Sequence, residues 1–128
     1  MIRSVLPVIV KPVLLGATIE TTNDEIIQTD NLSNAPLPTD RYEAMKALDW
    51  NRKMVSIEPI LDFDLDTFSK WIEEINPFIV YVGYDNYCYK LREPTLKKTT
   101  ELIEKMKDTS LVIRKTIRPA WFEDNQSK

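Results

Sequence analysis

Between Val13 and Ile117, short runs of apolar residues alternate with stretches whose apolar residues recur every three or four positions. That alternation predicts the order β-α-β-α-β-α-β. VLLGATIE, residues 13–20, reads as the first strand, and the polar stretch from Thr21 to Pro38 reads as a long loop. Asp40 followed by Glu43 marks the start of a helix running to about Asp49, with Tyr42, Met45 and Leu48 on one stripe. KMVSIEPI, Lys53 to Ile60, is the second strand. Asp64 or Asp66 then opens a helix in which Leu65, Phe68, Ile72 and Ile75 share a face, and Pro77 ends it. FIVYVGY, Phe78 to Tyr84, is the third strand. Pro94 suits the first turn of a third helix, where Leu96, Ile103 and Met106 face one way and Lys97, Glu101 and Lys105 form a solvated ladder. SLVIRKTI, Ser110 to Ile117, is the fourth strand, and residues 122–128 read as a frayed tail.

Apolar strands separated by one-sided helices imply an α/β fold of four parallel strands alternating with three helices. The expected domain is single, with a core over 13–117 preceded by an amino-terminal segment, residues 1–12. Such a chain builds either a small open sheet or a partial (β/α)8 barrel of TIM type, about half of the roughly 250 residues a complete barrel uses.

The strand ends carry the candidate chemistry. Thr18-Ile19-Glu20, Ser56-Ile57-Glu58 and Gly83-Tyr84-Asp85 each place an acid two positions after a small or polar residue. Alternation then directs both members of each pair to the same face. In parallel α/β folds the carboxyl ends of the strands form the ligand edge, so Thr18, Glu20, Ser56, Glu58 and Asp85 are the expected rim, joined by Arg114 from the fourth strand. One acid at a strand end would more simply mark the chain re-entering water near a helix amino end. Three in succession favour the rim. Cys88 reads as an ordinary loop thiol, Trp50, Trp71 and Trp121 as packing residues, and Lys97, Lys98, Lys105 and Lys107 as a solvated helix face.

Composition narrows the chemistry further. A net charge of −3 over 128 residues supplies no basic field for nucleic-acid phosphates. There is no histidine and one cysteine, so the commonest metal ligand, the usual general base and an internal disulfide are all missing from the sequence. Pro7, Lys11 and Pro12 interrupt the apolar amino end, which reads as neither a signal peptide nor a membrane span; the expected location is cytoplasmic.

LLGATIET, MVSIEPIL, IVYVGYDN and VIRKTIRPAW in succession resemble the later strands of radical SAM-type barrel proteins. The resemblance is strongest to a phage-associated family of radical SAM-related proteins of unknown activity. It covers about Leu14 to Trp121, and its most specific piece is Ser56-Ile57-Glu58-Pro59-Ile60-Leu61. Tyr84-Asp85 stands where that family tends to have a second glycine and an acid. The resemblance implies S-adenosylmethionine over the carboxyl ends of the strands, bound to a 4Fe-4S cluster held by a C-x3-C-x2-C run. This sequence contains no such run. The resemblance therefore implies a half-barrel without a cofactor of its own, not a self-contained enzyme, that meets S-adenosylmethionine and the cluster only when a cysteine-bearing amino-terminal half is supplied. The alternative is a non-catalytic binding or assembly module that keeps the scaffold. Either way, the inner-face set Gly16, Thr18, Ser56, Tyr81 and Gly83 is too small to fill a half-barrel; the candidates to cover it are the amino-terminal segment Met1 to Lys11, the loop from Thr21 to Pro38 and a second copy of the chain, with a homodimer or a missing half favoured.

Overall fold

The computed structural model describes residues 13–30, 32 and 34–123, so the segment 1–12 and the tail from 124 onwards lie outside the described residues. The order is β1 (Leu15–Thr18), α1 (Asp24–Thr29), α2 (Pro38–Ala47), β2 (Lys53–Ile57), α3 (Leu65–Ile75), β3 (Ile79–Val82), α4 (Leu96–Met106) and β4 (Leu111–Arg114). All strand pairs are parallel, and the sheet order is β1-β2-β3-β4. This is the expected α/β class. The sequential order has no reversal of the kind that marks a doubly wound sheet, and right-handed crossovers then place successive helices on one face. Accordingly α2 packs on α3, and α3 on α4.

The core lies between that helix layer and one sheet face. Val55 and Ile57 of β2, Val80 and Val82 of β3, and Ile19 just past β1 are buried there with Phe68, Ile72 and Ile75 of α3 and Leu102, Ile103 and Met106 of α4. Tyr42 of α2 stacks on Trp71 of α3 with ring centroids 4.3 Å apart. Lys53 also points inward, but its ammonium donates to the Met45 carbonyl at 2.7 Å, where the carboxyl end of α2 welcomes positive charge.

Among the described residues, α2, α3 and α4 all lie away from the opposite face. Register aligns Gly16, Met54, Ile79 and Leu111 in one row and Thr18, Ser56, Tyr81 and Ile113 in the next, and none of these belongs to the core cluster. Gly16 is hemmed in on this face, since a Cβ there would lie 2.8 Å from the Met54 carbonyl oxygen. The inner-face set expected from alternation, Gly16, Thr18, Ser56, Tyr81 and Gly83, therefore does share this side.

Three local expectations are corrected. The stretch 21–38 is not all loop, because Asn23 caps α1 by accepting from the Glu25 N–H and Ile26 and Ile27 bury against Leu61. Pro38, not Asp40, opens α2: proline suits the first helical position, where its missing N–H has no partner to lose. Pro94 lies before α4, whose cap is the Thr95 hydroxyl accepting from the Lys98 N–H. A fourth expectation concerns the tail: Glu123 is not frayed, since its carboxylate accepts the Ala120 and Leu96 N–H groups at 2.6 and 2.9 Å.

Candidate functional site

Hydrogen bonding continues past the strand ends and decides what meets at the carboxyl edge. Ile19 donates to the Ser56 carbonyl, Gly83 to that of Ile57, and Lys115 to that of Val82. Extending the register by two residues from Thr18, Ser56, Tyr81 and Ile113 gives Glu20, Glu58, Gly83 and Lys115 on the open side. Glu20 and Glu58 thus do share a row, and both are partly exposed. The third expected member does not: Ser56 pairs with Tyr81, so Asp85 lies two residues farther out than the sequence triplets imply.

Arg114 is a clear correction. It pairs with Val82, takes the helix-side orientation of that residue, and lies 3.9 Å from Glu104 of α4. Its neighbour Lys115 faces the open side instead, with its ammonium 5.7 Å from the Tyr81 ring centroid. Gly83 has room for neither rival, because a Cβ there would lie 2.9 Å from the Lys115 Cβ and 3.3 Å from Glu58 Oε2.

The carboxylates differ in how they are held. Glu20 is committed: Arg41 of α2 pairs with it at 3.0 Å and also donates to the Thr18 carbonyl. Glu58 has no hydrogen bond or ion pair among the described residues. Asp85 is buried, with one carboxylate oxygen accepting the Tyr89 N–H at 2.9 Å. Glu58 and Asp85 line the same cavity of about 400 Å³, together with Pro59, Tyr87, Tyr89 and Leu91.

Behind that cavity lies a buried polar knot. Arg118 grips Glu93 with two hydrogen bonds, of 2.9 and 2.8 Å, and donates to the Asp85 carbonyl at 2.8 Å. The Glu93 hydrogen bonds hold the Arg118 guanidinium pKa above its ordinary value. Tyr84 lies under the guanidinium, 4.9 Å from ring centroid to charge, and its hydroxyl meets the Pro94 carbonyl and Thr99. Burial pushes its pKa up to about 12. This knot ties the loop after β3 to the segment after β4. Sequence reading missed it, since Glu93 and Arg118 are 25 residues apart and neither sits at a strand end.

The remaining single residues divide. Cys88 is an exposed loop thiol, as expected. Trp71 packs in the core, whereas Trp50 and Trp121 are exposed, each nitrogen donating to a carbonyl, of Val13 and Leu91 respectively. Lys97, Lys105 and Lys107 are exposed, Lys107 pairing with Glu104 at 3.0 Å, while Lys98 pairs with Asp62 at 2.7 Å and lies over the Phe63 ring.

Among the described residues these features define the class: an α/β protein with one parallel sheet, α2, α3 and α4 layered on one face, and a polar carboxyl-terminal edge bearing an uncommitted glutamate. Comparison with family models, curated proteins and solved structures found no match to the chain. No helix among the described residues is long and apolar enough to cross a membrane.

Proposed function

We propose that this chain is the carboxyl-terminal half of a radical SAM-type (β/α) barrel and works as one part of a larger S-adenosylmethionine-dependent enzyme or split complex. The observation that carries the reading is the sheet face away from α2, α3 and α4, whose residues lie outside the core cluster. A sequential parallel sheet whose right-handed crossovers fall on one side has the connectivity of a barrel segment, and the side away from the helices corresponds to a barrel interior. The four-iron cluster does not fit the residues present, because several thiolates must converge and the sequence has only Cys88. A second polypeptide segment must bring those cysteines.

S-adenosylmethionine itself fits better. Thr18 and Ser56 are register partners on the open side and supply adjacent hydroxyls, while Glu58 offers an unpaired carboxylate. On the cluster that group supplies one-electron chemistry; this chain's share is to bind and orient it. Arg41 keeps Glu20 fixed as part of the wall. The lone cysteine favours a second reading, a non-catalytic assembly module that retains the scaffold.

Light scattering on dilute protein, with and without a cysteine-bearing amino-terminal half-barrel added in trans, tests the proposal. Association with that half, accompanied by S-adenosylmethionine binding, is the expected result. A stable monomer that unfolds cooperatively, exposes no apolar patch to a reporter dye and ignores the added half would overturn it. Association without S-adenosylmethionine binding would favour the assembly module.

A further inference from the structure

We infer that the cavity between Glu58 and the loop after β3 binds a small organic ammonium ion, a primary amine carried on a short aliphatic stem. This rests on the reading of the carboxyl-terminal edge as the ligand edge and names the class of molecule it receives. Charge is the first argument. Two carboxylates, Glu58 and Asp85, line about 400 Å³ of space whose described lining includes no lysine or arginine. Among the described cations nearby, Arg118 holds Glu93, while Lys90 lies 5.7 Å from the Trp121 ring centroid and Lys115 lies 5.7 Å from that of Tyr81.

Incomplete hydrogen bonding is the second. Asp85 is only 7% exposed, yet one of its carboxylate oxygens has no donor among the described residues, and Glu58 has none at all. Solvent reaches the remaining accepting positions, since neither carboxylate is among the buried atoms without a partner, and an ammonium group brings three donors to fill them. Shape is the third. Tyr87 and Tyr89 are 73% and 67% exposed, with ring centroids 5.6 Å apart, and Pro59, Tyr84, Asn86 and Leu91 complete the lining. Aromatic faces attract a cation, and the apolar remainder suits its hydrocarbon stem.

The loop is built to hold this arrangement. Cys88 and Lys90, on either side of Tyr89, adopt φ values of 59° and 52°, a conformation that side chains other than glycine rarely take. The Asp85 carboxylate fixes Tyr89 through its N–H, and Arg118 fixes Asp85 through its carbonyl. Tyr89 is thereby presented outward at the cavity mouth.

Calorimetric titration of the full chain with butylammonium chloride at low salt is the test, with 1-butanol and sodium butyrate as uncharged and anionic controls. Saturable binding of butylammonium alone is expected, weakened about tenfold or more in Glu58→Gln and about three- to tenfold in Tyr87→Ala. Tyr87 is exposed enough that its truncation leaves the fold intact, which guards against a folding defect in the glutamate variant. Absence of saturable binding, equal binding of 1-butanol, or indifference to both substitutions would overturn the assignment. Titration with S-adenosylmethionine in the presence of the added amino-terminal half separates the two readings: amine binding without it leaves the pocket standing while the cofactor proposal falls, and the converse removes only the pocket.

Discussion

Arg118 and Glu93 show what single residues contribute here. The Glu93 side chain is 1% exposed and Arg118 31%, so removing the arginine strands a buried carboxylate with only the Trp121 N–H beside it. Arg118→Leu should lower stability by about 3 kcal/mol, the lower end for breaking a buried pair since one partner is partly solvated, as read from urea unfolding. Tyr84 makes a second prediction. Its folded pKa of about 12 exceeds the ordinary 10.0, so the folded state keeps its proton after the unfolded chain has lost it. The associated stability is complete below pH 10 and falls as pH rises towards 12; Tyr84→Phe should flatten that loss relative to the parent protein. Cys88 makes a third: anaerobic reconstitution of the isolated chain should leave no stoichiometric iron, and a four-iron cluster on the monomer would contradict it. At this scale Glu58 was legible in the sequence, because SIEPI ends a β-branched run on an acid. Lys115 was not, because in VIRKT either basic residue reads equally well as facing the rim.

Helices and strands were more legible than their ends. The stripe of Phe68, Ile72 and Ile75 is buried as its spacing predicts, and Asp64 caps α3 by accepting from the Thr67 hydroxyl and N–H. Those bonds hold the Asp64 pKa below 3.8, so its stabilisation is present above the unfolded value and lost as pH falls through the folded one. An Asp64→Asn variant should show less acid destabilisation of α3 than the parent, followed by helical circular dichroism below pH 4. Helix α1 escaped notice because its six residues are too few to show a period, and only the Ile26-Ile27 pair marks it. The strand edge supplies another test. Gly83→Ala forces a Cβ against the Lys115 Cβ and the Thr116 backbone nitrogen, at 2.9 and 3.2 Å, and should cost about 1–3 kcal/mol in denaturant unfolding.

Across the described residues, one sheet face packs against the helix layer and the residues of the other lie outside the core cluster. Leu111 in β4, an outer strand of the described sheet, is 55% exposed on the bare side, and Leu14 beside β1 is 43% exposed. If another polypeptide covers that side, Leu111→Lys should shift light-scattering mass towards the monomer with little change in unfolding free energy, since the leucine is hardly buried within the chain itself. The strand and helix periods, and hence the α/β class, are written in residues adjacent in sequence, because periodicity is a property of one segment and its own backbone. The alternation that sets Glu20 and Glu58 on one face is equally local. Register belongs to two strands at once. Whether Gly83 or Asp85 stands beside Glu58, whether Arg114 or Lys115 faces the rim, and which arginine claims Glu93 depend on how separate segments dock, through hydrogen bonds and packing between residues 25 or more positions apart.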